Sequence, residues 1–243
     1  MSTRQRADRL LVDRGLFESR ARAQAAIEAG FVTADGAQVR KASDMIAADA
    51  VVQATPAHPW VSRGGVKLAA ALDAFGIDPK GCICLDIGAS TGGFTEVLLA
   101  RGAARIYAVD VGKDQLHASL RERPEVVSIE ATDVRTLGPG RIPEPIDLVV
   151  ADVSFISLKL VLPPALALTS ASAKLVALIK PQFEAGRAHL KKGIVRDPGV
   201  HRAVCDDIAS FVTSLGWRVA GVIPSPIAGG DGNAEFLLGA VRD

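Results

Sequence analysis

The chain has 243 residues, 49% of them hydrophobic, with 28 basic against 27 acidic residues and a net charge of +1. This length and apolar content suit one α/β domain with a smaller companion and exclude a disordered chain, while the balanced charge neither demands nor excludes nucleic acid. Cys82, Cys84 and Cys205 are odd in number and form no C-x-x-C pair, which argues against a disulfide framework or a metal knuckle and for a reducing, cytoplasmic setting.

Residues 1–6 are polar and no apolar leader follows them, so no secretory signal is expected. A small α+β module over 1–55 comes first. Leu10, Leu11 and Phe17 mark the apolar face of a first helix, Ser19 caps a second that carries Ala23, Ala26 and Ile27, and Gly30 ends it. Short strands over 31–34 and 38–39 flank the hairpin signal Asp35-Gly36, and a last strand covers 50–53. Residues 1–25 hold six arginines against three acids. That surplus makes Arg4, Arg6, Arg20 and Arg22 candidates for following RNA phosphates, with an ordinary solvated helix face as the plain alternative. The segment 56–65, with Pro56 and Pro59, reads as a linker that also carries Arg63.

From 66 onward apolar strands alternate with amphipathic helices, the pattern of a mostly parallel sheet covered on both faces. Strands are expected over 82–86, 105–110, 126–130, 146–151, 174–179, 217–223 and 234–240. The first runs into a glycine turn with Asp86, Gly88, Ala89, Ser90, Gly92, Gly93 and Phe94, where a nucleoside cofactor can approach the backbone. The G-x-G-x-x-G fingerprint of dinucleotide enzymes is absent, and S-adenosylmethionine fits better. It has an ammonium for Asp86 to pair with and ribose hydroxyls for Asp110, which ends the next strand beside Val111. Asp133 follows the third strand, where an adenine edge can be read, although aspartate is common in turns. The long apolar run over 158–179 contains Lys159, Pro163, Pro164 and Lys174, so it is no membrane span.

A second constellation concerns the reaction. Asp152 follows the fourth strand and Lys180 the fifth, so an acid and an amine flank the cleft at the carboxyl edge where open α/β sheets bind ligands. Lys67 opens the helix before the first strand, and Glu235 lies in the strand 234–240, where a charge among apolar neighbours needs a partner. Beyond Lys180, Arg187, Lys191, Lys192, Arg196 and Arg202 face only Asp197; this basic stretch reads as a loop that closes over RNA near the reactive group. Trp60 and Phe183 are candidates for stacking on a base, with packing as the plainer role.

In this order Lys67, Asp152, Lys180 and Glu235 resemble the Lys-Asp-Lys-Glu tetrad of FtsJ-like ribose 2'-O-methyltransferases. Segments 10–16 and 19–23 resemble the S4 RNA-binding domain. Together with Val61–Gly65 and Asp197-Pro198, the whole chain resembles the TlyA family, which methylates cytidine 2'-hydroxyls in ribosomal RNA and is often described as haemolysin. The resemblance implies an S4-like domain over 1–55, the linker 56–65 and, over 66–243, a Rossmann-like methyltransferase domain with a seven-stranded, mostly parallel sheet. It further implies S-adenosylmethionine as cofactor, no metal, and ribosomal RNA or a ribosomal subunit as partner. Lys180 is then the expected base, its pKa of ~10.4 needing to fall by roughly two to three units; alternatively, charged Lys180 orients the ribose and stabilises its developing charge. Asp152 and Lys67 position the ribose and Glu235 orients a lysine. Against this stand a non-catalytic ribosome-binding factor, a membrane-damaging protein and a small-molecule methyltransferase, the last of which leaves the basic N-terminal module without a purpose.

Overall fold

The computed structural model describes residues 3–229 and 232–242, and the chain divides into the units Met1–Pro59 and Trp60–Asp243. In the first unit, β1 (Arg4–Arg6) leads directly into α1 (Ala7–Asp13), and α2 (Arg20–Glu28) follows after a turn. Ser19 caps α2 by accepting a hydrogen bond from the Arg22 N–H, as the sequence predicts. Then come β2 (Val32–Ala34), β3 (Ala37–Gln38), β4 (Met45–Ala47) and β5 (Val52–Ala54). β2 pairs antiparallel with both β3 and β5. Asp35 and Gly36 both take positive φ, 49° and 79°, the geometry of a two-residue hairpin turn. Leu11, Phe17, Ala23, Ala26, Ile27 and Val32 form the centre of a small core of their own.

β1 and β4 pair with each other, Gln5 opposite Ile46, and neither was expected. Three residues each, the first all polar, they carry no period that a sequence reading can detect, and only their pairing makes them strands.

The second unit contains α3 (Gly64–Phe75), β6 (Ile83–Ile87), α4 (Gly93–Ala100), β7 (Arg105–Val109), α5 (Ala118–Arg121), β8 (Val126–Ile129), β9 (Ile146–Ala151), α6 (Leu158–Leu166), β10 (Thr169–Ile179), α7 (Pro181–Glu184), α8 (Pro198–Ser214), β11 (Trp217–Pro224) and β12 (Phe236–Arg242). The sheet has seven strands in the order β11-β12-β10-β9-β6-β7-β8. β12 alone runs against its neighbours. Side chains alternate between two cores, as the period of a strand requires. Leu85, Ile87, Val149, Ala151 and Leu175 join Leu158 and Leu162 of α6 and Ile208 and Val212 of α8. Cys84, Leu148, Val150, Val176 and Leu178 join Leu68 and Leu72 of α3 and Val97 and Leu98 of α4. A parallel sheet covered on both faces explains why its strands read as near-continuous apolar runs. Each large aliphatic side chain buried this way contributes about 1.5–3 kcal/mol.

The strand expected over 234–240 begins two residues later, at Phe236, so Glu235 stands just outside it. The strand expected over 174–179 starts earlier, at Thr169, its first half polar and partly exposed. Among the described residues, no helix is long and apolar enough to cross a membrane.

Candidate active site at the carboxyl edge of the sheet

Five adjacent parallel strands, β10, β9, β6, β7 and β8, end along one edge, and residues that follow them meet there. Ile87 of β6 pairs with Ala151 of β9, so Gly88 and Asp152 leave the sheet side by side; the Asp152 N–H donates to the Ile87 carbonyl at 2.9 Å. Gly88 has φ +80°, and a Cβ there would run into the Asp152 carbonyl oxygen. Both facts require glycine. Because β12 is antiparallel, its first residue lies at this same edge. Ile179 is paired with Phe236, which brings Lys180 and Glu235, each one step beyond the pairing, to neighbouring positions.

The tetrad is assembled as two ion pairs. Lys67 Nζ lies 2.5 Å from Glu235 Oε2, with the side chains 9% and 3% exposed, and Lys180 Nζ lies 2.5 Å from Asp152 Oδ1, with 10% and 21% exposed. Lys180 also donates to Ser154 Oγ at 2.9 Å. Breaking such a pair by removing one partner strands the other charge out of water and costs about 3–5 kcal/mol. Below Lys180, the Glu184 carboxylate accepts from Ser157 Oγ and the Leu158 N–H, tying α7 to the start of α6; burial pushes the Glu184 carboxyl up.

Two cavities adjoin here and share Gly88, Ser90, Asp152 and Ser154. The first, about 250 Å³, is lined by Ser62, Gly64, Ala89, Thr91, Gly93, Phe94 and Lys180 as well. The second, about 420 Å³, runs between Val109, Val111, Val134, Ile156 and Val161, with Asp110, Gln115, Asp133 and Arg135 at its rim. A polar chamber lined by Lys180 thus adjoins a more apolar slot. The Asp110 carboxylate accepts from the Ser90 N–H at 2.8 Å and the Gly112 N–H at 2.7 Å, which fixes it at the tip of β7 with lone pairs to spare. Glu130 accepts the backbone N–H groups of Asp114, Gln115 and Leu116. Those bonds hold the loop after Asp110 in shape and lower the Glu130 carboxyl pKa.

One expected cofactor contact differs from the sequence reading. Asp86 is fully buried and lines neither cavity. Its Oδ2 accepts from the Thr95 hydroxyl at 2.6 Å and its Oδ1 is unpaired, so it supports the turn from beneath instead of meeting a ligand ammonium directly. The cause is register: Asp86 alternates with Leu85 and Ile87 and so points toward α4. Burial pushes its carboxyl up to about 7. Asp133 does reach the second cavity, but Arg135 grips its carboxylate at 2.5 Å and lowers its pKa, chiefly through the side-chain hydrogen bond. Gly92 has φ +100° and faces Leu116 and Leu120, while a Cβ on Gly93 would strike the Ser62 hydroxyl, so Gly93 seats the segment 62–65 against α4.

The basic residues are dispersed. Arg4, Arg63, Arg187, Lys191, Lys192 and Arg196 are exposed. Lys191 and Arg196 share a cavity of about 360 Å³ with His189. Arg187 lines another of about 650 Å³ with Phe155, Gln182 and Phe183. Arg6 and Arg20 are both bonded to Asp8, and Arg22 to Glu18. Phe155 is 90% exposed at φ +64°, its ring centroid 5.0 Å from that of Phe183. Sequence reasoning missed Ser62, Thr95, Glu130, Ser154 and Glu184. Each acts on a group far along the chain, and a lone hydroxyl or acid carries no spacing signal.

A model of the FtsJ-like methyltransferase family matches residues 60–242. The chain is 47% identical over 243 residues to the 16S/23S rRNA (cytidine-2'-O)-methyltransferase TlyA of Mycobacterium tuberculosis (strain CDC 1551 / Oshkosh), covering 98% of this chain and 90% of that protein. Among solved structures, a protein from Streptococcus thermophilus described as a hemolysin superposes with a TM-score of 0.78 at 39% identity, covering 100% of this chain and 90% of that one. The magnesium protoporphyrin IX methyltransferase of Synechocystis PCC 6803 with bound SAM superposes with a TM-score of 0.52 at 15% identity, over 74% of this chain and 80% of that one, a likeness of fold alone.

Proposed function

The chain belongs to the FtsJ-like methyltransferases and, within them, to the TlyA family, and from that premise we propose that it moves a methyl group from S-adenosylmethionine to the 2'-hydroxyl of a cytidine in ribosomal RNA. One observation carries the assignment of the site: the Lys180–Asp152 pair stands where the two cavities meet, with the Lys67–Glu235 pair at the same sheet edge.

The residues fit the cofactor. The shared wall of Gly88 and Ser90 and the Asp110 carboxylate suit a nucleoside with its amino-acid arm, the apolar slot suits the adenine and the polar chamber the arm. S-adenosylmethionine, when bound, supplies an electrophilic methyl group. The protein's own work is alignment and charge. A ribose hydroxyl is a weak nucleophile, so an oxygen held in line is worth several orders of magnitude. Lys180, held by Asp152 and Ser154, orients the 2'-oxygen. Lys180 is held against the Asp152 carboxylate, so of the two roles considered for Lys180 we assign stabilisation of the negative charge developing on that oxygen, with the hydroxyl's proton leaving to solvent as the new oxygen–methyl bond forms. Lys67, fixed by Glu235, positions the ribose. The N-terminal unit, with its capped α2 and arginine surplus, serves as an S4-type RNA-binding module, and the exposed basic residues Arg187 to Arg196 contact the same RNA.

The test is transfer of labelled methyl from S-adenosylmethionine to ribosomal subunits from a strain lacking the modification, with wild type and Lys180→Ala in parallel. Label at an alkali-resistant linkage in ribosomal RNA, absent with the variant, is the expected result. Label on a base, or undiminished transfer by the variant, overturns the proposal. A limb of the pH–rate profile that disappears in Lys180→Arg would return Lys180 to the role of base.

A further inference from the structure

In the N-terminal unit, Asp8 lies on α1 with its side chain 0% exposed, yet its two principal partners are 42% (Arg6) and 53% (Arg20) exposed. Five bonds converge on its oxygens: Arg6 Nε at 3.0 Å and Nη2 at 3.1 Å, Arg20 Nε at 3.1 Å and Nη2 at 2.6 Å, and Gln24 Nε2 at 2.9 Å. Both Nη2 atoms bond the same oxygen, Oδ2. Asp8 stays ionised, its carboxyl held well below the usual range, first by the hydrogen bond from Arg6. A guanidinium has five N–H donors in a fixed fork. Two from each arginine go to Asp8, so among the described residues three on each have no partner, and they lie on the edges turned away from the acid. Arg4, exposed and two residues before Arg6 on β1, shares the Arg6 face of that strand.

We propose that Asp8 is a positioning residue for RNA: it draws the Arg6 and Arg20 guanidiniums together and presents their free edges as a preformed clamp for one phosphodiester of the ribosomal RNA. The inference rests on the RNA-binding reading of this unit and adds the device that organises it. Two cations sharing one oxygen repel each other unless a negative charge lies between them. Asp8 supplies that charge from inside the unit, and a phosphate supplies it from outside, bidentately, with the side-chain entropy already lost.

The sign of one substitution separates a clamp from a simple tie between helices. Asp8→Asn keeps the shape and removes a negative charge, so bulk electrostatics alone tightens binding to a polyanion. A clamp built on the carboxylate loosens instead. The experiment measures binding of the full chain to ribosomal subunits lacking the modification, across a salt series and well below the unfolding temperature of each variant, for wild type, Asp8→Asn, Arg20→Ala and the double variant. Expected are losses of about tenfold for each single variant and little more for the double, since both break one unit. Equal or tighter binding by Asp8→Asn, or losses that simply multiply, overturns the proposal. If Asp8→Asn does not fold, Arg6→Lys and Arg20→Lys keep the charge and lose the side-on grip; the clamp expects the same loss from each, and unchanged affinity overturns it. A wild-type chain without salt-dependent affinity for the subunits would instead remove the RNA-binding reading, before Asp8 comes into question.

Discussion

The sheet edge and the N-terminal unit both place carboxylates against cations, and they do so with opposite exposure. At the edge, both members of the Lys67–Glu235 pair are shielded, and Lys180 and Asp152 are mostly so. In the N-terminal unit the acid is shielded and the cations face water. A pair closed on both sides spends its charge internally and fixes where two side chains stand. An acid buried beneath exposed arginines holds them in place and leaves their donors for something outside. The first arrangement suits reacting atoms that must be aligned, the second a charged chain that must be held.

The comparison breaks most visibly at Lys180. Lys180→Ala is expected to lower methyl transfer by at least about 10³-fold while leaving cofactor affinity within a fewfold; comparable loss of both in a transfer assay and a calorimetric titration would make the residue a structural support. Glu235→Ala comes next. It leaves Lys67 buried without its partner, so denaturant unfolding should report about 3 kcal/mol lost, whereas the exposed Arg22–Glu18 contact has no such penalty. A loss below about 1 kcal/mol would mean the pair is as weak as a surface one.

Asp86 sharpens the point with pH. Its native carboxyl, pushed up to about 7 by burial, binds its proton more tightly folded than unfolded, so its contribution to stability is complete below the ordinary carboxylate pKa near 4 and is lost as pH rises through about 7. Asp86→Asn should remove that loss, leaving a protein about 4 kcal/mol more stable than wild type at pH 8 and little changed at pH 4. Unfolding midpoints at the two pH values check this, and a variant that tracks wild type at both would show the acid to be solvated. The smallest effect is expected at Arg22→Ala: under about 0.5 kcal/mol of stability but a decrease of about one in the salt slope of RNA binding. An unchanged slope would take Arg22 out of the RNA contact.

Much of the site was legible because chemistry at a sheet edge announces itself. Asp110, Asp152 and Lys180 each follow an apolar run, and polar residues at such positions stand out. The edge strands β1 and β4 were not legible, being too short to show a period. The partners of the charged groups were hidden as well. Nothing in the sequence said that Glu130 would gather three backbone N–H groups fifteen residues away, or that Arg135 would occupy Asp133. The direction in which Asp86 points was readable in principle from the alternation of β6, and the assignment to the ligand ammonium overlooked it.

By itself, then, the sequence determined the order and kind of the larger elements, the capped α2, the glycine turn after β6 and the residue types of the tetrad, since periodicity, capping and turn chemistry act within a few neighbours along the chain. The tertiary structure alone decided which lysine meets which acid, that Glu235 reaches the carboxyl edge of the parallel strands because β12 runs antiparallel, and that Asp8 draws Arg6 and Arg20 together. These depend on strand direction, register and burial, which bring residues together across long stretches of chain and leave no local pattern behind.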